Sequence, residues 1–198
     1  IAAITSKTNW KYIKAFLVNL EVLSEFNDVI YNGKSILREI NDTSNKYSII
    51  KARLHHYIGT AFGKIEKHGE CLYHLRKAYD IFIKTVGDNH IETALTLNSI
   101  GFYHYDLSNY PEALDSFMKA LKIQIEISGE ASLEVGSTFN HIGNTYKKLG
   151  DYKSTLLYLY RSLNIRKQEL GEKHFYVANT FSHLGDAYLH KNDLMESF

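Results

Sequence analysis

The chain has 198 residues, 44% of them hydrophobic and 23% charged, so it can bury a sizeable core and is not a disordered tail. Its formal net charge of +1, with no Lys/Arg block, leaves no electrostatic footprint for nucleic acid or an anionic membrane, and its apolar runs fall far short of a bilayer span. One proline and 12 glycines in a chain dense in Leu, Ile, Tyr, Lys and Glu favour helices over strands and turns.

An interval of 42 residues orders the sequence. Gly59, Gly101, Gly143 and Gly185 keep it, each after Ile58, Ile100, Ile142 or Leu184, and so do Gly87, Gly129 and Gly171. A fixed period of this size marks stacked helical repeats. Residues 1–47 fit the register loosely. Val29, Ile30, Ile36 and Leu37 fall on second-helix positions, but Leu17 replaces the glycine and Gly33 a large residue, which predicts a degenerate helical hairpin or N-terminal cap. Three full repeats follow at 48–89, 90–131 and 132–173, and a truncated fourth at 174–198. Phe198 falls inside a second helix, and end repeats normally carry a polar cap, so a longer array is expected.

Within residues 90–131, Ala94, Leu97, Ile100, Gly101 and His104 recur at steps of three and four, which predicts a first helix. LSNYPEAL breaks it: Asn109 offers a capping side chain, and Pro111 suits the first turn of a new helix. Ala113, Leu114, Phe117, Ala120, Leu121 and Gln124 form the inner face of that second helix, which should stop at Gly129 with a left-handed cap. Small residues at the glycine positions, at Cys71, Ala113 and Thr155, and at Ala78, Ala120 and Ser162 let the axes approach, while Leu75, Phe117 and Leu159 fill the space beside them.

Ten histidines invite a search for metal ligands, yet HExxH and CxxC are absent, and His141 and His183 stand one period apart as stacked repeats require of any residue. His90 and His174 fall at helix starts, where a capping contact is expected. The lone Cys71 occupies a packing position held elsewhere by Ala113, Thr155 and Ser197, so it reads as an inert buried thiol, and a single thiol fits a reducing, cytoplasmic compartment. The Gly-Asp and Gly-Glu turns lack the serial glycines and Lys-Ser/Thr of a phosphate loop, and the sequon at Asn41 is a common chance match. No catalytic set emerges, and no cofactor or metal is called for.

The residues Leu97, Ile100-Gly101, His104, Ala113, Phe117 and Ala120 resemble the tetratricopeptide repeat. The longer period, and the histidines of VGDNHIETALTLNSIG and LGEKHFYVANTFSHLG, are most similar to repeats of the kinesin-light-chain and nephrocystin type. The resemblance covers residues 48–198, with His55 where later repeats carry Leu97, Phe139 and Phe181, and Ser132 in place of the linker histidine. It implies an all-α, right-handed superhelical solenoid of antiparallel helix pairs that acts without catalysis as a scaffold or adaptor, with a short peptide or partner protein in its concave groove. By the same resemblance the groove is lined by Arg53, His56, Leu95, Asn98, Phe102, Tyr105, Asn140, Asn144, Lys147 and Asn179, with Thr60, Ser137, Ser182, Asp186 and Leu189 in matching positions. Asn98 and Asn140 stand out, because an amide offers donors and an acceptor to a peptide backbone, and Arg53, Lys64, Lys147 and Lys148 favour an acidic segment. The alternative is a regulatory or sensor segment of a larger signalling chain.

Overall fold

A computed structural model describes residues 25–40 and 47–196, with side chains as far as residue 191. The expectations for residues 1–24, for Asn41 and for the side chains of Ser197 and Phe198 lie outside the described residues. Those residues hold eight helices and no strand: α1 Phe26–Glu39, α2 Ser48–Lys64, α3 His68–Val86, α4 Ile91–Asp106, α5 Tyr110–Ser128, α6 Leu133–Lys148, α7 Tyr152–Leu170 and α8 Phe175–Glu196. The chain divides into two compact units, Ile1–Asp88 and Asn89–Phe198.

In the first unit, Val29, Ile36 and Ile40 share a core with Leu54 and Ala61 of α2. Gly33 departs from the repeat pattern for a steric reason: a Cβ there would lie 2.7 Å from Ile58 Cγ1. His55, the other departure, meets a polar partner on α3, its Nδ1 lying 2.9 Å from Nδ1 of His74. Cys71 is buried.

In the second unit, Phe117 and Leu121 of α5 pack with Val135, Phe139 and Ile142 of α6 and Ile165 of α7. Leu159 and Leu163 of α7 pack on Val177 and Leu184 of α8. The 42-residue glycines act as notches. A Cβ on Gly59, Gly101 or Gly143 would fall 2.9, 2.7 and 2.9 Å from Leu75, Phe117 and Leu159 respectively, so the large residue sits inside the gap rather than beside it. A buried polar bond also ties the two helices of one hairpin: Ser162 Oγ of α7 donates to the Gly136 carbonyl of α6 at 2.6 Å.

The helix ends correct two expectations. Asn109 makes no side-chain cap, whereas Asp151, one period on, accepts from the Ser154 amide at 3.0 Å. Gly87, Gly129 and Gly171 have φ of +91°, +79° and +81°, but ψ of 175°, 161° and 158° puts them in the extended mirror region that glycine alone enters readily, not in the left-handed helical one. That geometry turns the chain straight toward the next helix start. There, Nδ1 of His90 and of His174 accepts from the Glu92 and Tyr176 amides, each at 3.2 Å, and Ser132 Oγ takes the same role toward Val135 at 3.4 Å.

Candidate functional site

Helices α4, α5, α6 and α8 of the second unit enclose a cleft of about 440 Å³, within the size range of small-ligand and peptide sites. Its principal wall is α6, where Asn140, Asn144 and Lys147 recur at steps of four and three and so share one face, with His141 and Lys148 alongside. Opposite stand Asn179, His183 and Asp186 of α8, again at four and three, while Phe102 and Tyr105 of α4 and Phe117 of α5 close the apolar end.

That end is ordered by aromatic packing. The His141 ring stacks on Phe117 with centroids 5.4 Å apart and planes 14° apart, and meets Phe102 edge-on at 5.9 Å. Tyr105 meets Tyr110 edge-on at 5.7 Å. Burial, together with Tyr110 and Asp106, raises its phenol, so Tyr105 remains a neutral hydrogen-bond donor.

The polar wall has unused bonding capacity. Oδ1 of Asn140 and Oδ1 of Asn144 are both buried and have no hydrogen-bond partner, and Asn140 as a whole is only 6% exposed. A buried amide oxygen without a donor is costly, so the pair is a place where a ligand N–H gains more than it would on open surface.

Electrostatically the cleft carries a small positive excess, Lys147 and Lys148 against Asp186. Burial, then the charges of Arg166 and His183, push His141 down to about 4. Burial also lowers His183, helped by Lys147 and Arg166 and opposed by Asp186. Both rings are therefore neutral at pH 7, and the cations left are Lys147 and Lys148 on the wall. Lys147 Nζ donates to Asp186 Oδ2 at 3.2 Å.

Six of the ten residues expected in the groove thus meet in one cleft: Phe102, Tyr105, Asn140, Asn144, Lys147 and Asn179. The other four do not join them. Arg53 and His56 lie on α2 in the first unit. Leu95 is 42% exposed on α4, outside the cleft lining. Asn98 also lies outside the lining, and its Nδ2 donates to Thr138 Oγ1 at 3.0 Å, joining α4 to α6. Phe117, His141 and His183 complete the cleft without having been expected as groove residues. Their signal was present in the repeat of 42 between the two histidines, which is also the signature of ordinary packing.

Among the described residues no group of three or more His, Cys, Asp or Glu side chains is placed to hold a metal ion, and no helix is long and apolar enough to cross a membrane.

The tetratricopeptide-repeat family model matches residues 51–126 and 134–196, well over half of the chain. No curated protein sequence matches it significantly. Among solved structures, the chain is similar to BtubC (BKLC) from P. vanneervenii, with a TM-score of 0.82 and 16% identity over 93% of this chain and 74% of that one. It is also similar to a putative kinesin light chain with nearly identical TPR-like repeats from Podosopora anserina, with a TM-score of 0.75 and 13% identity over 92% and 86%. A Rap protein complexed with competence and sporulation factor gives a TM-score of 0.71 and 17% identity over 91% of this chain and 48% of that one. At these identities the likeness is one of fold, an all-helical repeat of the solenoid class.

Proposed function

The chain belongs to the tetratricopeptide-repeat family, and from that premise we propose that it is a non-catalytic interaction scaffold whose second unit holds an extended segment of a partner protein in the cleft between α6 and α8. The observation that carries this reading is the pair of buried, unpartnered oxygens on Asn140 and Asn144. Residues four apart on a helix are separated by about 6 Å along its axis, and alternate residues of an extended peptide by about 6.6 Å. Two N–H groups on one edge of such a peptide therefore match the two amide oxygens, whatever side chains the peptide carries.

Side chains add the selection. An apolar or aromatic residue of the partner fits against Phe102, Phe117 and His141, and the positive field of Lys147 and Lys148 favours an acidic neighbour. The wall is a preorganised helix face, so the ordering cost of binding falls mainly on the peptide and affinity is modest. The same reading puts the chain in the cytoplasm, where its buried thiol stays reduced.

The test is an Asn140→Ala, Asn144→Ala double variant, titrated with fluorescein-labelled acidic decapeptides by anisotropy. Binding should fall by about tenfold or more, corresponding to ~1.4 kcal/mol. The melting temperature should not fall, because the variant removes two buried acceptors that have no partner. Unchanged affinity would move the binding surface elsewhere. A sensor reading, in which the cleft takes up a soluble factor, draws on the likeness to the Rap protein solved with competence and sporulation factor. It uses the same residues and answers to the same variant.

A further inference from the structure

The cleft of the second unit places a half-buried histidine beside an ion pair. Lys147 Nζ of α6 donates to Asp186 Oδ2 of α8 at 3.2 Å, and the lysine side chain is only 15% exposed. His183 lines the same cleft three residues before Asp186, so the two side chains are neighbours on one face of α8. Burial disfavours a proton on the His183 ring, Lys147 of α6 and Arg166 of α7 add to that, and Asp186 on its own helix opposes them. His141 of α6, the other imidazole in the lining, stacks on Phe117 and is held neutral chiefly by burial. Lys148 is exposed, and solvent screens its charge.

An acidic side chain entering the cleft finds Lys147 as its least screened cation. It shares the ammonium with Asp186 or displaces it, and either way two carboxylates stand where one stood. The ligand thereby neutralises a cation that disfavours a proton on His183 and adds an anion that favours one. A covering peptide also removes water, which by itself favours the neutral ring, but the same low dielectric strengthens the attraction of both carboxylates for an imidazolium. We propose that His183 is a proton-coupled contact for the ligand: an acidic segment that binds at Lys147 places its carboxylate beside the imidazole, which takes up a proton and strengthens the hold on acidic partners as pH falls from about 7.5 to about 6. This inference rests on the peptide reading of the cleft and adds the regulation of that site. The sign follows from linkage, since a group that binds its proton more tightly in the complex favours the complex at lower pH, and the ligand carboxylates stay ionised down to about pH 5.

Titration calorimetry with unlabelled, N-acetylated acidic decapeptides at pH 7.5 and 6.0, each in two buffers of different ionisation enthalpy, reads affinity and proton uptake together. The parent should bind about two- to fourfold more tightly at pH 6.0 and take up about half a proton per peptide there. Peptides with Asn in place of their acidic residues should show no pH dependence. His183→Gln keeps a polar side chain and should bind acidic peptides equally at both pH values, with no uptake. The coupling is refuted if the parent takes up no proton at pH 6.0, which needs no variant to fold, or if the uptake survives in H183Q. The peptide reading answers separately to the Asn140→Ala, Asn144→Ala variant. Loss of binding there, with no proton uptake in the parent, leaves the cleft as the site and His183 without a role in it. Unchanged affinity there, with uptake that H183Q abolishes, removes the amide oxygens from the site while the coupling stands.

Discussion

Gly143 and Gly185 hold the same register position, yet alanine should act on them with opposite sign. At Gly143 the new Cβ would meet Leu159 Cγ at 2.9 Å, Cδ2 at 3.0 Å and the Leu159 backbone nitrogen at 3.3 Å. Leu159 is fully buried, and the backbone contact means that α7 itself has to shift, an overpacking cost of about 1–3 kcal/mol. Alanine recovers about 1 kcal/mol of helix propensity, so Gly143→Ala should lose up to about 2 kcal/mol net. Among the described residues nothing lies within 4 Å of Gly185, so in this chain only the propensity gain remains and Gly185→Ala should stabilise by about 0.5–1 kcal/mol. A gap of about 2 kcal/mol between the variants corresponds to roughly 4–8 °C in melting temperature for a chain of this size. Circular dichroism melts supply the comparison, and hydrogen exchange on α6 and α8 localises it, because repeat proteins open segment by segment. If Gly143→Ala melts at or above Gly185→Ala, the notch account of the 42-residue glycines is wrong.

Acid should weaken the fold before the carboxylates titrate. His55, His74 and His141 are each pushed from 6.5 down to about 4, chiefly by burial, so the unfolded chain takes up protons first as pH falls and stability is lost between about 6.5 and 4. His141 alone accounts for about 2 kcal/mol by pH 5 before solvent screening reduces it, and urea midpoints at pH 7.5 and 5 in His141→Gln should show a smaller decline than the parent. Asp186 is 51% exposed on its side chain and neutralises a Lys147 that is only 15% exposed, so it competes with any acidic ligand. Asp186→Asn should tighten binding of the acidic decapeptides by about three- to tenfold and leave their Asn-substituted counterparts unchanged, and equal or weaker binding of both sets would rule the competition out.

The helix pattern was legible because packing repeats: Gly59, Gly101 and Gly143 face Leu75, Phe117 and Leu159 in turn, and a contact made three times leaves a periodic trace. Helix starts were legible for the same reason, with His90 and His174 capping as their position implied. What the repeat could not convey was anything that depends on the difference between copies. The cap absent at Asn109 and present at Asp151 is one such difference, while the ψ that Gly87, Gly129 and Gly171 share is a conformation that the glycine spacing alone does not specify.

The candidate site belongs to this second kind. A groove list drawn from register alone treats Asn98 and Asn140 as equals, since each is an amide on the same face of a first helix. The structure separates them: Asn98 Nδ2 donates to Thr138 Oγ1 and lies outside the cleft, whereas Asn140 lines it. Periodicity identifies positions, whereas hydrogen bonding saturates particular atoms. Register therefore nominates positions, and the bonds each copy makes separate an amide held by the fold from one that faces a cleft.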